Sequence, residues 1–369
     1  MNKVFSPFQI NSKVTMPNRL AVAPMTTQQS NADGTLSSAE SSWLKRLSND
    51  GYGLVISCAV SISDTSIAFY NQLSIAHDSM ILPLKELSDK MKQNRSVNLL
   101  QLCHGGSRTI EALTGEKSHS ASSYSMPMIS GFVSPKKLSK VQIKAIVYDF
   151  AAACARAEKA GFDGIELHGA NGYLFTQFIS TMTNQRSDDY GGNLENRAKF
   201  SREVVRACRA EVSEDFIIGF KMNFEGMGLE TGLDIDENIQ IANWLAEDGV
   251  NYIHSSQLNY ESHSVKYPEK NLIEYIRSGL ISSLPLAAAG NIKSLEDAQK
   301  AMDLGLDIVA IGRAAIANID LPKYFEKNEA LPFKTPFSEE QLIGIGISEG
   351  FLDYLKNAPP LKSLAIIKT

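Results

Sequence analysis

The sequence predicts an α/β protein whose parallel strands close into one (β/α)8, or TIM, barrel. Three observations predict this fold: a repeated helix–glycine–strand unit, about eight apolar strand segments separated by helical patterns, and the lack of a Pro/Ser/Gly-rich linker. A chain of 369 residues is also long enough for two domains. The alternative architecture is an open, doubly wound sheet.

A repeating unit gives the order of the elements. Four segments share a helix end, a glycine and a β-rich run. They are SNDGYGLVIS (48–57), EKAGFDGIEL (158–167), AEDGVNYIHS (246–255) and MDLGLDIVAI (302–311). A glycine just past a helix accepts the left-handed conformation that ends it, and the Val/Ile-rich run is typical of a strand buried on both faces. Each unit therefore predicts a helix, a turn and a parallel strand.

Further apolar runs between these units complete the predicted strands. They are LAVAPM (20–25), VNLLQL (97–102), FIIGFKMN (216–223) and LPLAAAG (284–290). Helical patterns separate the strands, most clearly over 140–160, where Ser139 and Gln142 have the spacing of a capping box. Eight such units predict a closed barrel, because parallel strands need helices over their outer faces.

Three segments do not follow the repeated helix–turn–strand pattern. A turn-rich stretch at 1–18 predicts an N-terminal hairpin that closes the barrel floor. The segment 105–138, rich in Ser, Gly and Pro, is too long for a plain loop after the third strand, so we expect a lid or subdomain over the active face. Residues 320–369 form a C-terminal tail whose apolar residues predict docking. Residues 1–369 are thus expected to form a single barrel domain.

Composition limits the classes of partner. With 36 Lys and Arg against 41 Asp and Glu, the chain offers no broad basic face for nucleic acid or an anionic membrane. The four cysteines are too widely spaced for a zinc site or an iron–sulfur cluster, so no metal is expected. No secretion signal and no membrane-spanning run is recognisable. We expect a cytoplasmic protein that binds a small-molecule substrate, with homo-oligomerisation left open.

The active face of such a barrel lies at the carboxyl ends of its strands. The polar residues predicted at those ends are Thr26, Gln101, His104, His168, Asn171, Tyr173, Lys221, Asn223, His254 and Ser255. Gly290 and Gly312 follow the last two strands, with Arg313 beside the second glycine. Loops at this place bind phosphate in many barrels through backbone N–H groups and a helix start. The alternative is that both glycines only allow tight turns.

The stretch HGANGYL (168–174) combines three reactive side chains at the end of the fourth strand. His168 and Asn171 could both donate hydrogen bonds to one oxygen, and Tyr173 presents a phenol that can give up a proton. This pattern predicts an oxyanion site with an acid. The structural alternative is that Asn supplies a left-handed turn and His a local hydrogen bond.

Lys221 lies inside an otherwise apolar strand, where a buried ammonium needs an anionic partner. That partner is either a bound anion above the barrel or a neighbouring carboxylate. Thr26 and Gln101 are compatible with ligand binding and equally with a hydrogen-bonded hydroxyl and amide of the core.

Four segments resemble the Old Yellow Enzyme family of FMN-dependent NAD(P)H:flavin oxidoreductases. They are AVAPMTT (21–27), LLQLCHGG (99–106), ELHGANGYLFTQFIS (166–180) and NQRSDDYGGNLENR (184–197). The last is the most specific, because its spacing N-x-R-x-D-x-Y-G-G-x-x-E-N-R is hard to obtain by chance. The resemblance extends over residues 3–320 and covers the tail least.

The resemblance implies that FMN lies at the mouth of the barrel, with its phosphate near Gly290, Gly312 and Arg313. The residues implied to meet its ring are Pro24, Met25, Thr26, Ala59, Gln101, His168 and Lys221. Lys221 would stabilise the negative charge that reduced flavin carries near N1 and O2, which makes the flavin easier to reduce.

The resemblance also implies an ene-reductase with a ping-pong mechanism. NADH or NADPH would give hydride to flavin N5 and leave, and an enone, enal or nitroalkene would take hydride at its β-carbon. His168 and Asn171 would bind the substrate oxygen, and Tyr173 would protonate the α-carbon. Two rivals are a flavin-free barrel lyase or isomerase of a phosphorylated metabolite, and a flavin-binding protein with a sensing role.

Some positions depart from one branch of the family. Thr26 matches the classical branch, whereas the related bacterial branch often has a redox-tuning Cys at this place. Gln28 stands where that bacterial branch often has a substrate-facing Tyr, and no arginine follows Arg313 in the sequence. We therefore do not expect the dimer of that branch, in which a C-terminal arginine of the neighbouring subunit reaches the active site.

Overall fold

The structure is a computed structural model that describes residues 3–126, 132–226, 231–334 and 336–357. Its strands are β1 Phe8–Gln9, β2 Thr15–Met16, β3 Leu20–Val22, β4 Leu54–Ser61, β5 Val97–Cys103, β6 His119–Ser120, β7 Lys136–Lys137, β8 Gly164–Gly169, β9 Ile217–Met222, β10 Tyr252–Ser256, β11 Leu286–Ala289 and β12 Ile308–Ile311.

Helices alternate with these strands along the chain. They are α1 Ser38–Asn49, α2 Ile81–Met91, α3 Glu111–Thr114, α4 Lys140–Lys159, α5 Leu174–Ile179, α6 Leu194–Glu211, α7 Ile235–Glu247, α8 Leu272–Gly279, α9 Leu295–Asp303, α10 Arg313–Ala317, α11 Leu321–Glu326, α12 Glu339–Gly344 and α13 Glu349–Asn357. Short 3₁₀ turns lie at Lys3–Phe5, Asp78–Met80, Lys92–Asn94 and Gly106–Arg108. None of the helices described is long and apolar enough to span a membrane.

Eight parallel strands form a closed barrel in the order β3, β4, β5, β8, β9, β10, β11 and β12, with β12 paired back to β3. The predicted (β/α)8 barrel is thereby confirmed, and the open sheet is wrong, because no barrel strand is left as an edge. β4 runs to Ser61, beyond the predicted unit that ended at residue 57. A bulge between Ile56 and Ala59 lets this strand continue towards the active face.

The N-terminal hairpin lies under the barrel as predicted. β1 and β2 pair antiparallel, and Ile10 and Met16 join the cluster of side chains that fills the lower barrel interior. The barrel side chains of this cluster include Ala21, Leu54, Ile56, Val97, Leu99, Ile217, Tyr252, Ala287 and Ile308. Alternate residues of the strands point outwards against the helices, which explains why the strands read as continuous apolar runs.

The helix predicted over 140–160 is α4, and its predicted capping box is present. The Ser139 hydroxyl accepts from the Gln142 backbone N–H at 3.2 Å, and Gln142 Oε1 accepts from the Ser139 N–H at 2.9 Å. Two N–H groups at the helix start, which have no partner within the helix, are satisfied in this way.

We expect Ser139→Ala to lower the free energy of unfolding by about 1 kcal/mol, because one N–H at the start of α4 loses its acceptor. Urea unfolding followed by circular dichroism measures this change. Ser123→Ala is the matched control, since Ser123 is exposed and precedes no helix. Equal stability of the two variants would show that the capping box contributes nothing.

The two remaining predicted segments contain secondary structure. Within 105–138 the structure places α3 and the paired strands β6 and β7, and residues 127–131 of this predicted lid lie outside the described residues. The tail at 320–369 contains α11 to α13 up to residue 357. The ring of Phe351 in α13 meets Trp43 of α1 edge-on, with ring centroids 5.4 Å apart. The described part of the tail thus packs on the barrel helices.

Candidate active site

A row of three cationic or imidazole side chains crosses three adjacent strands near their carboxyl ends. His168 in β8 lies in register with Lys221 in β9, and Lys221 lies in register with His254 in β10. All three side chains are buried. Three residues that the sequence placed separately at strand ends are therefore neighbours.

A carboxylate that sequence reasoning missed lies two residues before His168. Glu166 is fully buried and accepts hydrogen bonds from Gln101 Nε2 at 2.8 Å, Tyr252 Oη at 2.9 Å and His254 Nδ1 at 2.8 Å. Burial raises the pKa of Glu166, but its interactions with His254, Lys221 and Tyr252 outweigh burial, and the net shift is downwards. Glu166 is therefore an ionised carboxylate inside the barrel.

Glu166 is an anionic partner for the buried ammonium of Lys221. Burial lowers the pKa of Lys221, and the Glu166 charge opposes that shift. The neighbouring carboxylate considered from the sequence is thus present, and it compensates the ammonium before any ligand binds. Gln101 is also explained in part, because its amide nitrogen donates to Glu166. Glu166 could have been noticed in the sequence, because it is the one charged residue in the apolar run GIEL (164–167).

His168 is set up as a hydrogen-bond donor. Its Nδ1 accepts from the Ala170 backbone N–H at 3.4 Å. Burial, followed by the charges of Lys221 and Arg108, lowers the pKa of His168 well below its usual value. The imidazole is therefore neutral, and because Nδ1 accepts, the proton resides on Nε2.

Asn171 combines both roles considered for it. Its φ of 59° is the left-handed turn conformation, and its backbone N–H donates to Asn223 Oδ1 at 2.7 Å. Its side-chain Oδ1 accepts from the Ser256 hydroxyl at 3.3 Å. With the amide oxygen held in this way, the Nδ2 group is the part of the side chain that can donate to a ligand.

Tyr173 lies against His168, with the two rings edge-to-face and their centroids 4.8 Å apart. Burial raises the pKa of Tyr173, and the nearby Arg108 guanidinium opposes this shift without cancelling it. The phenol is therefore protonated throughout the ordinary pH range. HGANGYL thus brings together a neutral imidazole donor, an amide donor and a protonated phenol.

The lid and the tail each add a residue to this face. Arg108 of the lid lies 4.7 Å from the Tyr173 ring centroid and donates to the Asn171 carbonyl. Burial raises the pKa of Tyr354 in α13, and the nearby Thr26 side chain and Arg108 guanidinium oppose this shift. The sequence singled out neither residue. For Tyr354 no sequence signal existed, because its position depends on how the tail docks.

The loops after β11 and β12 border a cavity of about 460 Å³. Its lining includes Asn291, Lys293, Ser294, Gly312, Arg313 and Phe333. Arg313 Nη2 donates to Asn291 Oδ1 at 3.2 Å, so the guanidinium is held at the cavity wall. The predicted phosphate loops therefore do form one concave, basic site.

The two glycines of these loops serve different purposes. A Cβ at Gly290 would lie 2.6 Å from the Tyr260 backbone nitrogen, so close packing of the chain itself requires this glycine. A Cβ at Gly312 would meet nothing closer than Met25 Sδ at 3.7 Å. The chain does not demand a glycine at 312, and the free space there suits a bound ligand.

The fold and the site together define a (β/α)8 protein with a basic cavity after the last strands and a buried Lys–Glu pair beside a hydrogen-bonding cluster. The NADH:flavin oxidoreductase / NADH oxidase family model matches residues 3–331. The chain belongs to this family, and the resemblance to Old Yellow Enzymes is confirmed.

Individual proteins with similar sequences or structures are oxidoreductases too. The chain is 31% identical over 327 residues to the NADH:fumarate oxidoreductase of Klebsiella pneumoniae (strain 342), an alignment covering 86% of this chain but 35% of that protein. It is 33% identical over 322 residues to the probable NADH-dependent flavin oxidoreductase YqiG of Bacillus subtilis (strain 168), with 85% of each covered. Morphinone reductase has a similar structure, with a TM-score of 0.81, 28% identity, and 97% and 98% of the two chains covered.

Family membership settles the cofactors. The chain uses FMN and a nicotinamide hydride donor. The rival flavin-free lyase or isomerase is therefore wrong. The residues present fit FMN, because the basic cavity suits a phosphate and Lys221 suits a ring that becomes anionic on reduction.

Proposed function

We propose that this chain is an ene-reductase, which uses NADH or NADPH to reduce C=C bonds activated by a carbonyl or nitro group. The observation that carries the proposal is the cluster of His168, Asn171 and Tyr173, two donors and a protonated phenol on one face. The similarity to morphinone reductase supports it. We also propose that residues 1–369 act as one barrel domain.

The proposed FMN site joins the cavity to the strand ends. The residues that would hold FMN are Pro24, Met25, Thr26, Ala59, Gln101, His168, Lys221, Gly290, Gly312 and Arg313. Bound FMN supplies two-electron transfer between the nicotinamide and the alkene. Arg313 would pair with the phosphate, and Lys221 would stabilise negative charge on the reduced ring.

On the substrate side, each residue of HGANGYL has a distinct task. His168 Nε2–H and Asn171 Nδ2–H would donate to the substrate oxygen, where negative charge builds as hydride reaches the β-carbon. Tyr173 would pass its hydroxyl proton to the α-carbon and regain a proton from water. In sum, one hydride and one proton saturate the double bond, and the nicotinamide is oxidised.

A two-stage anaerobic titration tests the proposal. The purified yellow protein is reduced with NADH or with NADPH, and 2-cyclohexen-1-one or a nitroalkene is then added. We expect the flavin absorbance to bleach with a nicotinamide and to return with the alkene. Failure of both nicotinamides to bleach the flavin would favour the sensing role, and bleaching without recovery would refute alkene reduction.

We expect Asn171→Ala to slow the alkene step by roughly 10²- to 10³-fold, or about 2.7–4 kcal/mol of barrier, with little change in flavin reduction. Stopped-flow absorbance measures the two half-reactions separately. Asn171→Gly is the matched variant, because it restores the left-handed turn without the amide donor. Equal slowing of both half-reactions, or full activity of the glycine variant, would contradict the role of the amide.

A further inference from the structure

Arg108 is a charged residue of the lid that the proposed reaction does not use. It follows the glycine-rich turn after β5 and places its guanidinium over the Tyr173 ring, 4.7 Å from the centroid. The same guanidinium donates to the Asn171 carbonyl. A cation therefore lies directly against two of the three residues assigned to the alkene.

The charge of Arg108 is uncompensated on this face. Within the described ranges no carboxylate pairs with Arg108, and the Asn171 carbonyl is the one acceptor that its side chain contacts. A guanidinium carries five N–H donors in a planar fork that matches a carboxylate. The side chain is also exposed, so most of these donors are available to a ligand entering from the lid side.

Three tyrosines feel the charge of Arg108. Its charge acts on Tyr124 of the lid, on Tyr173 and on Tyr354 of the tail. Tyr124 Oη donates to the Ser107 hydroxyl at 2.7 Å, which ties this part of the lid together. Arg108 therefore acts on three phenols, one of which it contacts directly, and Glu166 inside the barrel already has three hydrogen-bond donors of its own.

We propose that Arg108 binds an anionic group of the substrate, so that the preferred alkenes carry a carboxylate in addition to the carbonyl that activates them. This inference rests on the proposed ene-reductase function. A carboxylate on Arg108 and a carbonyl oxygen on His168 and Asn171 would hold the alkene at two points. Such two-point binding orients the double bond over Tyr173.

A nucleotide phosphate is the other source of the same negative charge. The 2′-phosphate of NADPH lies at the far end of the dinucleotide from the nicotinamide ring, whereas Arg108 lies directly on the proposed acid. The position of Arg108 therefore favours binding of an anionic group on the alkene substrate over binding of the 2′-phosphate.

The test compares (E)-4-oxopent-2-enoate with its methyl ester, two enones that differ in one negative charge. The measured quantity is the ratio of kcat/KM for the acid to kcat/KM for the ester. We expect Arg108→Gln to lower this ratio roughly 10- to 100-fold, and Arg108→Lys to recover part of it, because an ammonium keeps the charge without the fork. Lys117→Gln, an exposed lid residue, is the charge-matched control with an unchanged ratio.

Other outcomes separate the possible failures. If Arg108→Gln lowers both substrates by the same factor, Arg108 only supports the Asn171 turn and the inference is wrong. If it weakens NADPH but not NADH as the donor, the anion is the nucleotide phosphate and the inference is again wrong. If the wild type reduces neither of these enones, nor 2-cyclohexen-1-one, nor a nitroalkene, the proposed function itself fails; if it reduces one of the latter two but neither open-chain enone, only the inference is wrong.

Discussion

Tyr173→Phe is expected to slow reduction of an activated alkene by roughly 10²- to 10⁴-fold, the usual loss when a positioned acid is removed. The phenol is buried against His168, and burial keeps it protonated by raising its pKa. Phenylalanine preserves the ring and its packing but has no proton to give. Hydride transfer from NADH or NADPH to the flavin needs no proton from Tyr173 and is expected to keep its rate.

Rapid mixing of the reduced variant with 2-cyclohexen-1-one measures the affected step, and mixing of the oxidised variant with a nicotinamide measures the other. Tyr148→Phe removes a hydroxyl from the exposed face of α4 and serves as the control. A Tyr173→Phe variant that reduces the alkene at the wild-type rate would assign the proton to another group or to water.

Glu166→Gln is expected to lower the free energy of unfolding by about 3–5 kcal/mol, the range found when one partner of a buried ionic cluster is removed. Three donors point at this carboxylate, and Lys221 relies on its charge. An amide cannot accept all three donors and leaves the ammonium uncompensated. Chemical denaturation of the protein measures the loss at pH 7.

Two further measurements identify the cause of that loss. Because the pKa of Glu166 is lowered in the folded protein, its stabilisation is present above the usual Glu pKa and disappears as the pH falls below about 4.3. The double variant with Lys221→Met should regain part of the stability. Glu296→Gln, from the exposed pair with Lys300, is the control with little change. A loss that persists unchanged at low pH would refute the charge-based cause.

The sequence was sufficient for the elements whose signal is local. The glycine after each helix, the apolar runs and the Ser139–Gln142 capping box depend on neighbours within a few residues, and all of them are found in the barrel. The stretch HGANGYL was recognisable because its three side chains lie within six residues, from the end of β8 to the start of α5. The main boundary error was the end of β4. The strand continues past a bulge in its pairing with β5, and the sequence around residue 57 does not indicate such a bulge.

Contacts between distant segments were beyond the sequence. Glu166 was visible as a charge in an apolar strand, but its partners Gln101, Tyr252 and His254 come from two other strands, so its role required the closed barrel. Arg108 and Tyr354 lie in the lid and the tail. Their positions depend on how these segments pack over the barrel.

The amino-acid sequence by itself determined the barrel, the family and the three residues proposed to hold and protonate a substrate, because periodicity and short motifs record local structure directly. Only the tertiary structure decided the protonation states and charged neighbours of these residues. Closing the barrel buries Glu166 beside Lys221, and folding the lid sets Arg108 on Tyr173. Burial and charge act through space, and their strength depends on distances that the order of residues does not state.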